Sequence, residues 1–413
     1  MKVFTSAHFL RQISIQSLRE FTEDHILGPE LNIEWNQPAE SLLKQLSHDI
    51  ADLELSLAQG TLSPDTVKDR EHNLHLWHDD LRRIHLMSNT QAIEEFRSSL
   101  TKDLTAIDAF RTRDVREQAM WVFIHRNELF RTTELHMAFL AKTNGKYWKK
   151  HRIQSGLDIP QDRDKLETFC AEVAKLYEKA GGGKSTHVEY SKHTADDSIQ
   201  LTLYVEGPVT ALTHFEDKHF SRLTTRIALE SAVVYRPATG EIETVVKGGA
   251  KNHAAMLTLF GTHVVGMAID PTAVEMARYN LDALRSGVLE PFDSWTSIGV
   301  TKVRLRRARF TPHKKTGISF QVEAPSEPDQ TDVIGVARDH LKINQTFEAE
   351  YHINGATFLV YLLERDGKKP RHFSFDVYAT GSSTIKNLTE KNQTTAEAVL
   401  KGLQIVDHIQ ANS

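Results

Sequence analysis

The sequence predicts an α+β fold, in which an all-helical N-terminal domain precedes a mixed or antiparallel sheet domain with helices on one face. Three observations lead to this prediction. Apolar residues recur with helical spacing through the first part of the chain, three consecutive glycines end that pattern, and apolar and polar residues alternate after them. We therefore expect a helical domain over residues 1–180, a Gly-rich linker over residues 181–186 and an α+β domain over residues 187–413.

The helical domain is predicted from apolar stripes and from the scarcity of glycine. In the segment Ser41–Leu57, leucine and isoleucine recur every three or four residues, as on one face of an amphipathic helix. Ser63 and Pro64 form a typical start for the next helix, because serine caps free N–H groups and proline fits the first turn. No glycine lies between Gly60 and Gly145, which favours continuous packed helices.

The C-terminal domain is predicted from strands that occur in pairs with helices between them. A strand-strand-helix unit recurs at Ile227, Val300 and Phe347. Paired strands joined by short turns favour antiparallel neighbours. Within this domain the expected elements include helices at residues 252–265, 271–285 and 394–409, and strands at residues 347–353, 357–363 and 372–379.

The composition is that of an ordinary globular protein. Apolar residues make up 40% and charged residues 25% of the 413 residues, and the formal net charge is −5. This balance argues against a protein that coats nucleic acid over its whole surface, but it allows a local basic patch. The single cysteine, Cys170, excludes an internal disulfide and favours a reducing compartment. Without a long apolar run or the features of a signal peptide, we expect a cytoplasmic protein with no membrane association.

The most concentrated positive charge lies in the segment Val300–Pro325, which reads as two strands joined by a polar loop. Its first strand alternates apolar and basic residues, and the adjacent Arg306 and Arg307 interrupt the alternation. A β-bulge at that point would keep the apolar side chains facing inward and place the basic ones on one outer face. The expected nucleic-acid-binding residues of this segment are Lys302, Arg304, Arg306, Arg307, Arg309, Lys314 and Lys315.

A second basic segment, residues 142–152, surrounds two aromatic residues with cations. Such a composition suits phosphate contact combined with stacking of bases. The candidate residues of this segment are Tyr147, Trp148, Lys149, Lys150 and Arg152. The alternative for both segments is that the cations only solubilise strand edges and prevent edge-to-edge association.

Motifs with catalytic potential are few. The triplet Glu216-Asp217-Lys218 has the residue types of metal-dependent nucleases, and the histidines and aspartates of residues 72–80 offer metal ligands on a helix. Both patterns also occur often on ordinary polar surfaces. The sequence GGGKST at residues 181–186 lacks the first glycine of a phosphate-binding loop and follows a helix, which favours a linker. We expect no metal and no cofactor.

The sequence therefore favours a non-enzymatic binding protein whose partner is nucleic acid, either DNA or RNA, or an acidic protein surface. A metal-dependent nuclease that uses Glu216 and Lys218, or the cluster at residues 72–80, is the first alternative. The second alternative is an assembly subunit that forms homo-oligomers or docks on a companion protein through its helical domain.

Overall fold

The computed structural model confirms the α+β fold, with most helices in the N-terminal half and two antiparallel sheets in the C-terminal half. The chain forms two compact units, namely Met1–Thr143 with Tyr147–Thr272, and Asn144–Lys146 with Ala273–Ser413. The structure describes residues 4–58, 63–143, 145–194, 196–216, 219–274, 279–286, 289, 293–313, 318–324, 333–335, 350–363 and 371–406.

The first part of the chain folds into consecutive helices. These are α1 (Ser6–Leu10), α2 (Ile15–Asp24), α3 (Ala39–Ala58), α4 (Pro64–Met87), α5 (Thr90–Leu100), α6 (Leu104–Arg111), α7 (Val115–His125) and α8 (Asn127–Lys142), with a 3-10 turn at Gly28–Glu30. As the sequence predicts, Ser63 caps α4, and its hydroxyl oxygen accepts a hydrogen bond from the Thr66 N–H. Asn89, Asp103 and Asp114 cap α5, α6 and α7 in the same way.

Aromatic side chains fill the centre of this helical part. Trp77, Phe96, Phe123 and Phe130 are buried in one apolar cluster. The rings of Phe123 and Phe130 meet edge to face, with centroids 5.1 Å apart. This arrangement joins α4, α5, α7 and α8 into one core, because each helix contributes one of the four rings.

The first sheet lies in the first unit up to Thr272. Its strands are β1 (Trp148–Arg152), β2 (Thr186–Lys192), β3 (Ile199–Glu216), β4 (His219–Arg236), β5 (Glu241–Val245) and β6 (Thr272–Ala273), in the order β2-β3-β4-β5-β1-β6. The strand β1 lies within residues 1–180, which the sequence predicts to be helical. It pairs with β5, so that Trp148 lies opposite Val245. Because β5 is distant in the sequence, the five residues of β1 carry no local pattern that predicts this pairing.

The apolar face of the first sheet packs on two helices. They are α9 (Arg163–Ala174) and α10 (Ala250–Leu259), the second of which continues into a π-helical turn at Phe260–Val265. Leu201 and Leu203 of β3 and Val233 of β4 are fully buried in the cluster that these helices complete. Phe169 of α9 and the ring of Phe260 lie edge to face, with centroids 6.1 Å apart. This face is an ordinary hydrophobic core.

The opposite face of the first sheet is polar, and α8 packs on it. The Gln200 side-chain amide donates a hydrogen bond of 3.1 Å to the Leu135 carbonyl. Arg131 forms an ion pair of 3.2 Å with Glu189 of β2. Gln200 alternates along β3 with the buried Leu201, so one strand supplies an apolar core on one side and a polar contact with α8 on the other.

The second unit is built on the second sheet. Its strands are β7 (Val300–Pro312), β8 (Phe320–Glu323), β9 (Tyr351–Leu362) and β10 (His372–Tyr378), in the order β10-β9-β7-β8, all antiparallel. Leu305, Phe358 and Phe375 on its inner face are buried with residues of two helices. These helices are α11 (Asp293–Ser297) and α12 (Glu390–Gly402), with 3-10 turns at Leu281–Ser286 and Ile385–Asn387.

Three predicted elements of the C-terminal part differ from the structure. The strands expected at residues 347–353 and 357–363 are one continuous strand over Tyr351–Leu362, because β7 and β10 pair along it from both sides. The helix expected at residues 271–285 is replaced in its described part by β6 and a 3-10 turn. Leu281 and Leu284 of that turn are buried in the second core, so tertiary contacts override the local helix signal.

The predicted linker, residues 181–186, lies within the first unit, and the division between the units falls between Thr272 and Ala273. The Gly183 N–H donates a hydrogen bond of 2.8 Å to the Glu206 carbonyl, and the Ser185 N–H donates one of 3.2 Å to the Glu206 carboxylate. A Cβ atom at Gly183 would collide with the Glu206 side chain. A side chain at this position would therefore have to displace the Glu206 carboxylate.

The buried His253 on α10 gives the fold a dependence on pH. Its Nδ1 lies 2.7 Å from the Thr244 hydroxyl. Burial lowers the pKa of His253 to about 4, and the charges of His151 and Lys149 act in the same direction. A histidine in an unfolded chain titrates near pH 6.5, roughly, so the unfolded chain binds a proton that the folded chain excludes between these two values. The contribution of His253 to stability is therefore present above pH ~6.5 and is lost as the pH falls towards ~4.

We expect the melting temperature of the protein to fall between pH ~7 and ~5, and we expect a smaller fall for His253→Gln, which has no imidazole to titrate. Thermal unfolding followed by calorimetry at several pH values measures both slopes. His48→Gln removes an exposed histidine paired with Asp52 and should keep the wild-type slope. Equal slopes for the wild type and His253→Gln would contradict the assignment.

Candidate functional sites

The basic strand β7 has the bulge that the sequence predicts, but its cations are not all exposed. Leu305 lies opposite Phe358 and Arg307 opposite Thr357, so Arg306 is the extra residue. The register confirms the predicted bulge. Arg304, however, is only 2% exposed. The expectation that Arg304 faces solvent is therefore wrong, because this side chain is buried.

The other cations of the strand differ in accessibility. Arg306 and Arg307 both pair with Glu323 of β8, at 3.1 Å and 3.2 Å. Lys302 and Arg309 are exposed. The two predicted loop residues, Lys314 and Lys315, lie outside the described residues. Exposed or half-exposed ion pairs contribute little to stability, so Arg306 and Arg307 can exchange Glu323 for a phosphate at low cost.

In the second basic segment, β1 turns Trp148 inward. This side chain is buried, and its indole N–H donates a hydrogen bond of 2.7 Å to the Glu243 carboxylate. The expectation that Trp148 stacks on a base is therefore wrong for the described conformation. Lys150 forms an ion pair of 2.7 Å with Glu241. Of the candidate residues in this segment, Tyr147, Lys149 and Arg152 are exposed.

The metal ligands suggested for residues 72–80 are engaged in separate contacts. The imidazole of His78 lies 2.9 Å from the Ser6 hydroxyl. Asp79 and Asp80 form ion pairs with arginines of their own helix. In the described structure these residues do not bring three ligand atoms to one point, and they give the nuclease alternative no metal site.

Neither the triplet at residues 216–218 nor the single cysteine gives a catalytic site within the described part of the structure. The side chain of Glu216, together with Asp217 and Lys218, lies outside the described residues. Cys170 is buried, and its thiol lies 3.4 Å from the His187 carbonyl, to which it donates. Burial raises the pKa of the Cys170 thiol to about 11, so the thiol stays protonated at neutral pH and is a poor nucleophile.

A long two-stranded ribbon, formed by the outer halves of β3 and β4, is the most exposed feature of the first unit. We call residues 207–216 and 219–228 the ribbon. The inner half of β3 pairs with β2 and the inner half of β4 pairs with β5, whereas the ribbon strands pair only with each other in the described registers. A register shift between Glu206 and Val209 marks the base of the ribbon.

The ribbon exposes large apolar side chains on both faces. Phe215 is 74% and Phe220 is 58% exposed, and their rings meet edge to face with centroids 5.9 Å apart. Leu212 and Leu223 lie opposite each other on the other face, and both are exposed. A two-stranded hairpin alone is marginally stable in water, and exposed apolar groups of this size typically mark an interaction surface.

The ribbon is also depleted of negative charge. Its two strands contain a single carboxylate, that of Glu216 at the end of the first strand, which Asp217 follows in the sequence. The ribbon contains Arg222, Arg226 and several threonines. The guanidinium of Arg222 lies 5.9 Å from the centroid of the Phe220 ring. Arg226 pairs with Glu206 at the base, at 3.1 Å. The ribbon therefore combines cations, hydroxyl groups and exposed aromatic rings.

Sequence reasoning missed most of the ribbon. Residues 199–205 are recognisable as a strand, but the continuation is rich in threonine and has no apolar stripe. The usable signal is the alternation of β-branched and aromatic residues, as in Val209, Thr213 and Phe215, followed by Phe220 and Arg222. Such residues favour strands even where neither face is buried.

A buried cluster of Glu95, His136 and His193 was also missed. The Nδ1 atoms of His136 and His193 lie 2.7 Å and 3.0 Å from the two carboxylate oxygens of Glu95. The two imidazole rings stack with centroids 4.1 Å apart. One potential ligand atom from each residue lies within 4.8 Å of the others, and within the described parts of the chain no other such group is found.

The electrostatics of this cluster favour an ionised carboxylate. Burial alone would raise the pKa of Glu95, but the hydrogen bonds from His136 and His193 outweigh burial and lower it below its ordinary value. The three residues lie on α5, on α8 and directly after β2. Because they are separated by about 40 residues or more, no local spacing in the sequence could reveal the cluster.

Comparison with known proteins gives no further guidance, since the chain matches no model of a known protein family and no curated protein. Among the described residues, the helices are all too short or too polar to cross a bilayer. The function has to be argued from the sites themselves.

The burial of Arg304 leads to a stability prediction. We expect Arg304→Ala to lower the free energy of unfolding by about 1–3 kcal/mol, because a buried side chain of this size leaves a cavity and lost polar contacts. Arg309→Ala, on the same strand but exposed, is the matched control and should change stability little. Chemical denaturation of both variants measures the difference. Equal stabilities would show that Arg304 is accessible in solution.

Proposed function

We propose that this protein is a non-enzymatic binding protein that contacts nucleic acid by inserting the ribbon into a groove. The observation that supports the proposal is that the ribbon exposes interacting side chains on both faces. A ribbon that lay flat on a partner would need only one such face. A ribbon inside a groove is contacted on both faces and at its tip.

The dimensions of the ribbon suit a duplex groove. The eight residues Val209–Glu216 extend about 26 Å at the usual rise per residue of a strand. The major groove of B-DNA, about 12 Å wide, admits a two-stranded ribbon. The ribbon is thus long enough to reach along a groove while its base stays attached to the first sheet.

The chemistry of the ribbon also suits nucleic acid. Arginine and threonine side chains are common partners of phosphate oxygens. Arg222 is exposed, and Arg226 is held near the base of the ribbon by Glu206. Both arginines are therefore placed to contact the phosphates that line a groove around the ribbon. Apart from Glu216 at its end, the ribbon has no carboxylate, so most of its length does not repel a polyanion. The exposed cations Lys149, Arg152, Lys302 and Arg309 are candidates for further phosphate contacts.

The phenylalanines at the tip provide the apolar part of the contact. Proteins that bend DNA often insert an apolar wedge between base pairs, and single-stranded regions stack on aromatic rings. Phe215 and Phe220 are directly opposite each other at the end of the described ribbon. They are placed to meet bases while the arginines behind them meet the backbone.

A second candidate function is self-association through the ribbon. The supporting observation is that Leu212, Leu223 and Ile227 are exposed on one face, where no charged side chain of the ribbon lies between them. Two copies of such a face could pack against each other around a two-fold axis. This candidate is related to the assembly subunit expected from the sequence, but it uses the ribbon in place of the helices.

Binding of the full-length protein to short duplex DNA and to RNA, titrated at several salt concentrations, tests the proposal. We expect Arg222→Ala to reduce the magnitude of the salt slope by about one unit and to weaken binding several-fold. Phe215→Ser with Phe220→Ser should weaken binding about ten-fold or more at every salt concentration, because stacking is insensitive to salt.

Matched controls separate the ribbon from the surface in general. Arg163→Ala removes an exposed arginine of α9, and Leu104→Ser removes an exposed apolar residue of α6, so both should bind as the wild type does. Absence of salt-sensitive binding by the wild type would contradict the proposal. A concentration-dependent dimer that Leu212→Asp dissociates, without any nucleic-acid binding, would favour self-association.

A further inference from the structure

We propose that His136 and His193, held in place by Glu95, bind one divalent transition-metal ion in the interior of the first unit. The proposal is independent of the ribbon and departs from the absence of metal that the sequence suggests. Imidazole nitrogens are ligands that suit zinc and related ions, and a carboxylate commonly orients a ligating imidazole through its other nitrogen. The three side chains come from α5, α8 and the turn after β2, and the cluster is almost entirely buried.

The independent observation concerns the ring nitrogens of the two histidines. Each imidazole directs Nδ1 to Glu95, and each Nε2 is buried and has no hydrogen-bond partner among the described residues. A buried nitrogen without a partner is costly. Metal-binding histidines commonly use one nitrogen for the ion and hold the other against a carboxylate. The cluster has the carboxylate on one side of both rings and two available nitrogens on the other.

The contacts of Glu95 lead to the same conclusion. Its carboxylate is buried, and its ion-pair partners in the described structure are the two histidines. Both carboxylate oxygens are engaged by Nδ1 atoms, so Glu95 fixes the orientation of both rings and leaves the two Nε2 atoms as the donors available to an ion.

A metal ion at this position would connect the helices to the first sheet. His193 follows β2, and its backbone N–H bonds to the Ser198 carbonyl at 2.8 Å, which fixes the turn into β3. Glu95 holds both rings in place and supplies negative charge to offset the ion. Metal bound here would connect three elements that are distant in sequence and would stabilise the folded state over the unfolded chain.

Titration of the chelator-treated, full-length protein with Zn²⁺ and Co²⁺ tests the proposal. We expect one equivalent to bind, with a rise in melting temperature of several degrees and, for Co²⁺, visible absorption bands of a nitrogen-ligated site. His136→Gln and His193→Gln should each lose stoichiometric binding, and the chelator should no longer change their melting temperatures. Glu95→Gln should bind at least ten-fold more weakly.

His25→Gln is the matched control, since His25 is also buried. Its Nε2 lies 3.5 Å from a carboxylate oxygen of Asp80 and forms no hydrogen bond with the described residues. His25 belongs to no group of three ligands, so its replacement should keep one equivalent of metal. Should a cluster variant fail to fold, the wild type still decides. Wild-type protein that binds no stoichiometric Zn²⁺ or Co²⁺ would overturn the proposal, as would a folded His136→Gln/His193→Gln double variant that binds like the wild type.

Discussion

The first unit depends on the alternation of side chains along β3. Leu201 and Leu203 enter the apolar core on one face, while on the other face Gln200 bonds to α8 and to Thr202. A shift of one residue in the pairing of this strand would exchange these sets, bury the polar side chains among apolar ones and leave α8 without its contacts. The register therefore fixes the hydrophobic core and, through the turn at His193, the position of the histidine cluster.

The strand β3 has different surroundings in its inner and outer halves. Up to Glu206 each face of β3 has a neighbour, and beyond the irregularity at Gly207 and Pro208 both faces are exposed. A Cβ atom at Gly207 would collide with the Ile227 carbonyl, so the close approach of the two strands at this point requires glycine. A continuous hairpin is thus divided into a part that builds the fold and a part that is available to a partner.

The sequence predicted what depends on local pattern and missed what depends on distant partners. The capping of α4 and the bulge at Arg306 follow from neighbouring residues and are confirmed. The burial of Arg304 and the inward position of Trp148 are set by other elements packing against them, which no alternation of charge reveals. The Glu95 cluster is the extreme case, because its members meet only after three elements have packed.

The pairing of β1 with β5 bears on how the chain folds during synthesis. The residues of β1 leave the ribosome roughly 100 residues before those of β5, so the edge that β1 offers to β5 remains open while the intervening chain is made. The hairpin of β3 and β4, by contrast, closes between neighbours in sequence and is expected to form early. The nascent chain would therefore hold a finished hairpin before it has a finished sheet, and a chaperone that covers an unpaired strand would act on this unit in that interval.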